Sequence, residues 1–184
     1  MIVVAKRYPG EAYDVREFVM PNSYMVRTIA ESIGNGGDFV EKCLRWVRSN
    51  IKYPPGSQWY ADWHKTSAFV SANLLGIFIP VSTRESFDFW QFPQETLAAR
   101  MGDCEDMSIL LCSMARTRIP ETDVFVTVGD YKGYGHAWVT YMGIVYDASP
   151  GAKPPSAEKP PYNPWFRFND RLVIEERGVD RWTP

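Results

Sequence analysis

Long hydrophobic runs are missing from this sequence. A membrane-spanning helix needs about 18–20 consecutive apolar residues. The longest candidate, residues 67–80 (SAFVSANLLGIFIP), is broken by Ser71, Asn73 and Gly76, so no membrane span or membrane partner is expected. Blocks of basic residues are missing too. Twenty Lys and Arg stand against 22 Asp and Glu, for a formal net charge of −2, and no stretch concentrates the positive charge that a nucleic-acid footprint requires. Histidine occurs twice, as His64 and His136, and cysteine three times. No Cys/His cluster at zinc-ligand spacing arises from so few. The opening residues, MIVVAKRYPGEAYD, lack a basic leader followed by an apolar stretch and a small-residue cleavage site, which makes a cytoplasmic location the expectation. Internal repeats are not visible.

The scarce cysteines are informative one by one. Cys43, Cys104 and Cys112 cannot all pair within one chain. On one helix, Cys104 and Cys112 would lie about 12 Å apart along the axis, too far for a disulfide. Free thiols and a reducing compartment are expected. Cys43 and Cys112 fall in apolar helical patterns, where cysteine behaves as a small buried hydrophobe. Cys104 sits instead in Gly102-Asp103-Cys104-Glu105-Asp106, a polar setting for a packing residue.

Aromatic side chains are abundant, at 15% of the residues with seven Trp, and they supply large surfaces to a single core. A length of 184 residues fits one domain over 1–184. A helical pattern runs from Asn22 through Val26, Ile29 and Ile33 to the glycines at 34–37. Asp38 opens a second helix, with Glu41 placed for a capping box and Phe39, Val40, Cys43, Leu44 and Val47 forming its stripe. Residues 54–87 read as an insertion with some helix of its own, and Trp59, Tyr60, Trp63 and Phe69 suggest a wall or lid over the site. Pro93 starts a short helical turn. A third long helix begins at Cys104, buries one face through Met107, Leu110, Leu111 and Met114, and ends by Pro120. Strand-like runs follow at 124–128, 134–141 and 144–148, separated by hairpin-sized gaps at 129–133 and 142–143. The proline-rich segment 150–164 reads as an extended surface loop, and 171–175 as one more strand. Helices first and antiparallel strands second give an α+β fold, with the Cys104 helix packed on the sheet.

A nucleophilic thiol needs a lowered pKa, which the unpaired N–H groups and dipole of a helix N-terminus provide. Cys104 holds that position. A base must then come from elsewhere, and His136, in Tyr134-Gly135-His136-Ala137-Trp138-Val139, lies on a strand beyond the helix. The next strand carries one acid, Asp147. If Met142 and Gly143 make a two-residue turn, Tyr141 faces Ile144 and His136 faces Ser149. Asp147 then falls two residues along, on the same face as His136. Turns of three or five residues would separate the two.

These stretches, with Trp46-Val47-Arg48-Ser49-Asn50-Ile51-Lys52-Tyr53 and Asp88-Phe89-Trp90-Gln91-Phe92-Pro93-Gln94-Glu95-Thr96-Leu97, occur in an order that resembles the transglutaminase-like superfamily. Within it the chain is most similar to the bacterial transglutaminase-like cysteine proteinases, over residues 40–150. The resemblance implies a papain-like core with Cys104 as nucleophile, His136 as base and Asp147 as orienter. It implies thioester chemistry on a protein or peptide substrate, with hydrolysis of a peptide or isopeptide bond ahead of cross-linking or amide transfer. The backbone N–H of Cys104 would form part of the oxyanion hole, with Trp90 or Gln91 as candidates for the second donor. No cofactor is required. In adhesin-cleaving members acids beside the nucleophile hold calcium, and Asp103 and Glu105 match that pattern, although acids in a first helical turn also simply favour the macrodipole. The rival from another class is a binding or structural module on the same fold. Substrate identity and oligomeric state are not legible, and His64 has no assigned role.

Overall fold

The computed structural model describes residues 2–6, 12–34, 37–54, 70–72, 78–79 and 89–176. In chain order it contains β1 (Ile2–Lys6), β2 (Ala12–Asp14), a single 3-10 turn (Val15–Phe18), α1 (Tyr24–Ser32), α2 (Phe39–Asn50), β3 (Val70–Ala72), β4 (Phe78–Ile79), α3 (Pro93–Ala99) and α4 (Cys104–Arg116). After these come β5 (Val124–Tyr131), β6 (Tyr134–Tyr141), β7 (Ile144–Tyr146), β8 (Ser156–Ala157), β9 (Tyr162–Phe168) and β10 (Val173–Glu175). The last six form an antiparallel sheet in the order β10-β9-β5-β6-β7-β8, and the first four form a smaller sheet in the order β2-β1-β3-β4. The architecture is α+β, as expected. The described parts of the 54–87 insertion, 70–72 and 78–79, are strands rather than helix. Trp59, Tyr60, Trp63, His64 and Phe69, and with them the lid, lie outside the described residues.

Local chemistry explains the helix starts. The Asp38 side chain accepts from the Glu41 N–H at 3.0 Å, which satisfies one unpaired donor of α2. The reciprocal half of the expected capping box is replaced: the Glu41 carboxylate pairs with Arg45 one turn on, at 2.7 Å. Asp38 also accepts from the Tyr146 hydroxyl at 2.7 Å, which ties the start of α2 to the end of β7. Pro93 occupies the first turn of α3 and Arg100, at φ 52°, ends it.

Helix α4 differs from the one-faced helix that its periodicity predicts. Every residue from Glu105 to Ala115 is buried, because α4 packs against α1, α2 and α3 as well as β5 and β6. Small residues make this possible. Ser108 and Ser113 are fully buried and occupy positions that an amphipathic helix would give to water. Ser113 Oγ donates back to the Ile109 carbonyl at 2.7 Å and accepts from the Met20 N–H at 3.0 Å, so its polar atom is satisfied inside the core.

The hairpins set the site. Met142 and Gly143 both have positive φ, 48° and 75°, in the geometry of a two-residue type I′ turn. Tyr141 faces Ile144 and Val139 faces Tyr146, the register expected from a turn of that length. The preceding gap is shorter than its composition suggests. β5 runs on through Gly129-Asp130-Tyr131, and only Lys132 and Gly133 turn, at φ 57° and 89°. The expected third strand is likewise shorter, ending at Tyr146.

The proline-rich segment is not a loop throughout. It contains β8 and the start of β9, which pairs with β5 along its length. Pro164 lacks an N–H and sits where the β5–β9 register shifts, so the bulge accommodates the missing ladder donor. Gly129 faces that bulge. A Cβ there would lie 2.3 Å from the Asn163 carbonyl oxygen, 2.7 Å from the Trp138 ring and 2.8 Å from Pro164 Cα. Gly129→Ala is expected to lower unfolding stability by about 1–3 kcal/mol, the range for overpacking a tight site. Urea denaturation midpoints measure this, and an unchanged midpoint would contradict the close approach.

Candidate active site

Alternation along β6 sends Ala137 and Val139 into the core with the residues of α4, and places His136, Trp138 and Thr140 on the other face. The β6–β7 register then brings Asp147, one residue past β7, back to that second face. His136 Nε2 and Asp147 Oδ2 are 2.8 Å apart. With Nε2 engaged, Nδ1 is the ring nitrogen left for another proton partner.

Asp147 is 3% exposed, and a buried carboxylate needs donors. The Ser149 N–H donates to Oδ1 at 2.9 Å, and the Tyr162 hydroxyl donates to Oδ2 at 2.9 Å. On the backbone side the Arg48 guanidinium, from α2, donates to the Asp147 carbonyl. Burial pushes the carboxyl pKa up. The hydrogen bond and charge of His136, with the Ser149 N–H and the Tyr162 hydroxyl, outweigh it and hold the group below its ordinary value of 3.8. Burial and the neighbouring Asp147 charge push the Tyr162 phenol well above its ordinary value of 10.0.

Cys104 opens α4 and is half-buried, whereas Cys43 and Cys112 are wholly buried. Burial raises the Cys43 thiol to about 12 and the Cys112 thiol still further. The Cys104 thiol donates to Glu105 Oε2 at 3.2 Å. The structure joins His136 to Asp147 by a hydrogen bond, while Cys104 opens a helix packed on the Ala137 and Val139 side of the same sheet.

Asp106 is the residue whose role sequence reasoning missed. It is 2% exposed. Its Oδ1 accepts from the Gln91 backbone N–H at 2.7 Å, and its Oδ2 from the Gln91 amide at 2.6 Å and the Asp103 N–H at 3.3 Å. This carboxylate therefore fastens the approach segment to the first turn of α4. Both candidates for the second oxyanion donor lie in that segment. The Gln91 amide is committed to Asp106 and the Met101 carbonyl, and Trp90 is buried with its ring stacked on Phe168. Asp103, Glu105 and Asp106, all buried, each offer a carboxylate oxygen within 4.8 Å of the others. Hard oxygen donors so grouped could hold a cation such as calcium.

No protein-family model and no curated protein matches the chain. Solved structures do. LapG of Legionella pneumophila, a bacterial transglutaminase-like cysteine protease, superposes with a TM-score of 0.54 at 15% identity, over 82% of this chain and 76% of that one. Its EGTA-treated form gives 0.57 at 14% identity, over 84% and 76%. The chain has the transglutaminase-like fold. At such identities the likeness is one of fold, and the chemistry must be argued from this chain's own residues.

Asp147 offers a direct test of the site's electrostatics. Its folded-state pKa is below the unfolded one, so its stabilising contribution is fully present above the unfolded value and is lost as pH falls through the folded one. Asp147→Asn is expected to destabilise the protein at pH 7 by about 1.5–3 kcal/mol, typical of a charge-assisted hydrogen bond. It should also lose less stability than the wild type below about pH 4. Urea midpoints collected across that range check both, and parallel pH profiles would contradict the assignment.

Proposed function

We propose that the chain is a thiol-dependent acyl-transfer enzyme that hydrolyses a peptide or isopeptide bond of a protein or peptide substrate through a Cys104 thioester. The observation that carries this reading is the 2.8 Å hydrogen bond from His136 Nε2 to Asp147, which leaves Nδ1 to serve the thiol. It is supported by a cysteine at the start of α4 in a fold shared with a cysteine protease.

His136 takes the Cys104 proton at Nδ1, and the thiolate attacks the substrate carbonyl carbon while the π pair moves onto oxygen. The Cys104 N–H, at the positive end of the helix, stabilises that oxyanion. Collapse breaks the C–N bond, and the departing amine takes the proton from Nδ1. Water then attacks the thioester, passes a proton to Nδ1, and releases the carboxylic product and the thiolate. Asp147 stays ionised throughout, fixing the ring's tautomer and stabilising the imidazolium. An amine in place of that water would give transamidation by the same steps.

Calcium would be held by Asp103 and Glu105 with Asp106 beside them. When bound it supplies fixed positive charge next to the first turn of α4, and the proton and acyl transfers remain with the chain's own residues. Titrating calcium should then raise the melting temperature and EGTA should reverse the rise. An unchanged melting temperature would remove calcium from the reading.

Brief iodoacetamide treatment at pH 6, followed by peptide mapping, should modify Cys104 ahead of Cys43 and Cys112. His136→Ala should slow that labelling by about tenfold or more, because an unassisted thiol is almost wholly protonated at this pH. His64→Ala should leave it unchanged. Labelling led by Cys43 or Cys112, or indifferent to His136, would overturn the assignment. A peptide library incubated with and without an added amine then reports cleavage against amide transfer.

A further inference from the structure

The carboxylate of Asp147 has two donors on one oxygen. His136 Nε2 and the Tyr162 hydroxyl both reach Oδ2, at 2.8 and 2.9 Å. Oδ1 is held by a single backbone N–H, from Ser149. An Asp side chain held at Oδ1 alone can still swing about the bond to its carboxyl group, since terminal sp³–sp² torsions have broad wells. The hydroxyl of Tyr162 removes that freedom, because it approaches Oδ2 from β9 while His136 approaches from β6.

The phenol is itself held in place. Tyr162 opens β9 directly opposite Tyr131, with ring centroids 4.6 Å apart, and meets Trp138 edge-on at 5.0 Å. The Trp138 indole N–H donates to Glu158 at 2.7 Å, and Glu158 is braced by Thr140 at 2.9 Å and by Arg167. A run of contacts thus leads from the proline-rich segment, through Trp138 and Tyr162, to the carboxylate that orients the base.

We infer that Tyr162 is a positioning residue for the proposed reaction: its hydroxyl locks the Asp147 carboxylate in the orientation that aligns His136 toward Cys104. The inference rests on the thiol-enzyme reading and deepens it. Tyr162 touches neither thiol nor substrate in this role. It acts through Asp147, and the proline-rich segment is the part of the fold that delivers it.

The test uses the full chain and iodoacetamide as the probe, comparing wild type, Tyr162→Phe and His136→Ala. Tyr162→Phe keeps the ring between Tyr131 and Trp138 and removes only the hydroxyl. The Cys104 labelling rate is followed from pH 5 to 10, with Cys43 and Cys112 as internal reporters of unfolding. Tyr162→Phe is expected to slow labelling about tenfold at pH 6, the fold-change matching loss of one hydrogen bond to a charged group. Near pH 10 the thiolate forms without help from the imidazole, and the three rates should converge. If Tyr162→Phe matches wild type at every pH while His136→Ala is slow at pH 6, the role of Tyr162 is overturned and the thiol-enzyme reading stands. If His136→Ala also matches wild type, that reading fails with it. A loss that persists at pH 10, or that comes with labelling of Cys43 and Cys112, marks Tyr162 as a structural residue only and likewise overturns the inference.

Discussion

Placing an ionised carboxylate at a position 3% exposed to water imposes demands on the whole domain. The charge must be met by donors, because an unsatisfied buried carboxylate would protonate. For Asp147 the donors come from β6, from the turn that follows β7 and from β9, while α2 secures its backbone carbonyl. These elements are separated along the chain, so the carboxylate is satisfied only once β5 has β6 on one side and β9 on the other. Sheet order and site geometry are therefore one constraint. The β6–β7 turn puts His136 and Asp147 on a common face, and the β5–β9 pairing puts the phenol within reach.

A second buried carboxylate does comparable work at the other end of the proposed site. Asp106 gathers the Gln91 backbone, the Gln91 amide and the Asp103 N–H, fixing how the chain enters α4. A helix N-terminus can activate a thiol only if its first turn is held open and correctly aimed. The two acids thus have matching duties. Asp147 holds His136 in place, and Asp106 fastens the approach segment to the first turn of the helix that opens with Cys104. The neighbours of Cys104 also separate it from the other two cysteines. Cys43 and Cys112 are enclosed by apolar side chains that raise their thiol pKa, whereas Cys104 is half-buried beside carboxylates and helix amides.

Much of this was legible in the sequence where the signal is local. The apolar period of α2, the polar break before Cys104 and the two-residue Met142-Gly143 turn each depend on neighbours in the chain, and the His136–Asp147 register followed from the turn. Non-local features left no comparable trace. Asp106 looks like any acid in a first helical turn, since its partner Gln91 lies 15 residues away. β9 was hidden by Pro164, whose missing N–H argues against a strand until a bulge is known to receive it. α4 shows a clear apolar stripe, and its polar side reads as solvent-facing. Only the packing of α1, α2 and α3 around α4 reveals that this side, with Ser108 and Ser113, is closed to water as well.

The proline-rich segment gains its meaning from the same logic. Prolines restrict the chain before it folds, so ordering such a segment costs less conformational entropy than ordering a flexible loop of equal length. Here the segment spans from the Asp147 turn to β9 and contributes Glu158 and Tyr162 to the face that carries His136. A stiff connection suits that task, because a donor that wandered would leave Oδ2 under-satisfied for part of the time. Glu158 reinforces it by joining the segment to Trp138, Thr140 and Arg167 through half-buried polar contacts. The placement of His136 and Asp147 is thereby coupled to the pairing of this segment within the sheet.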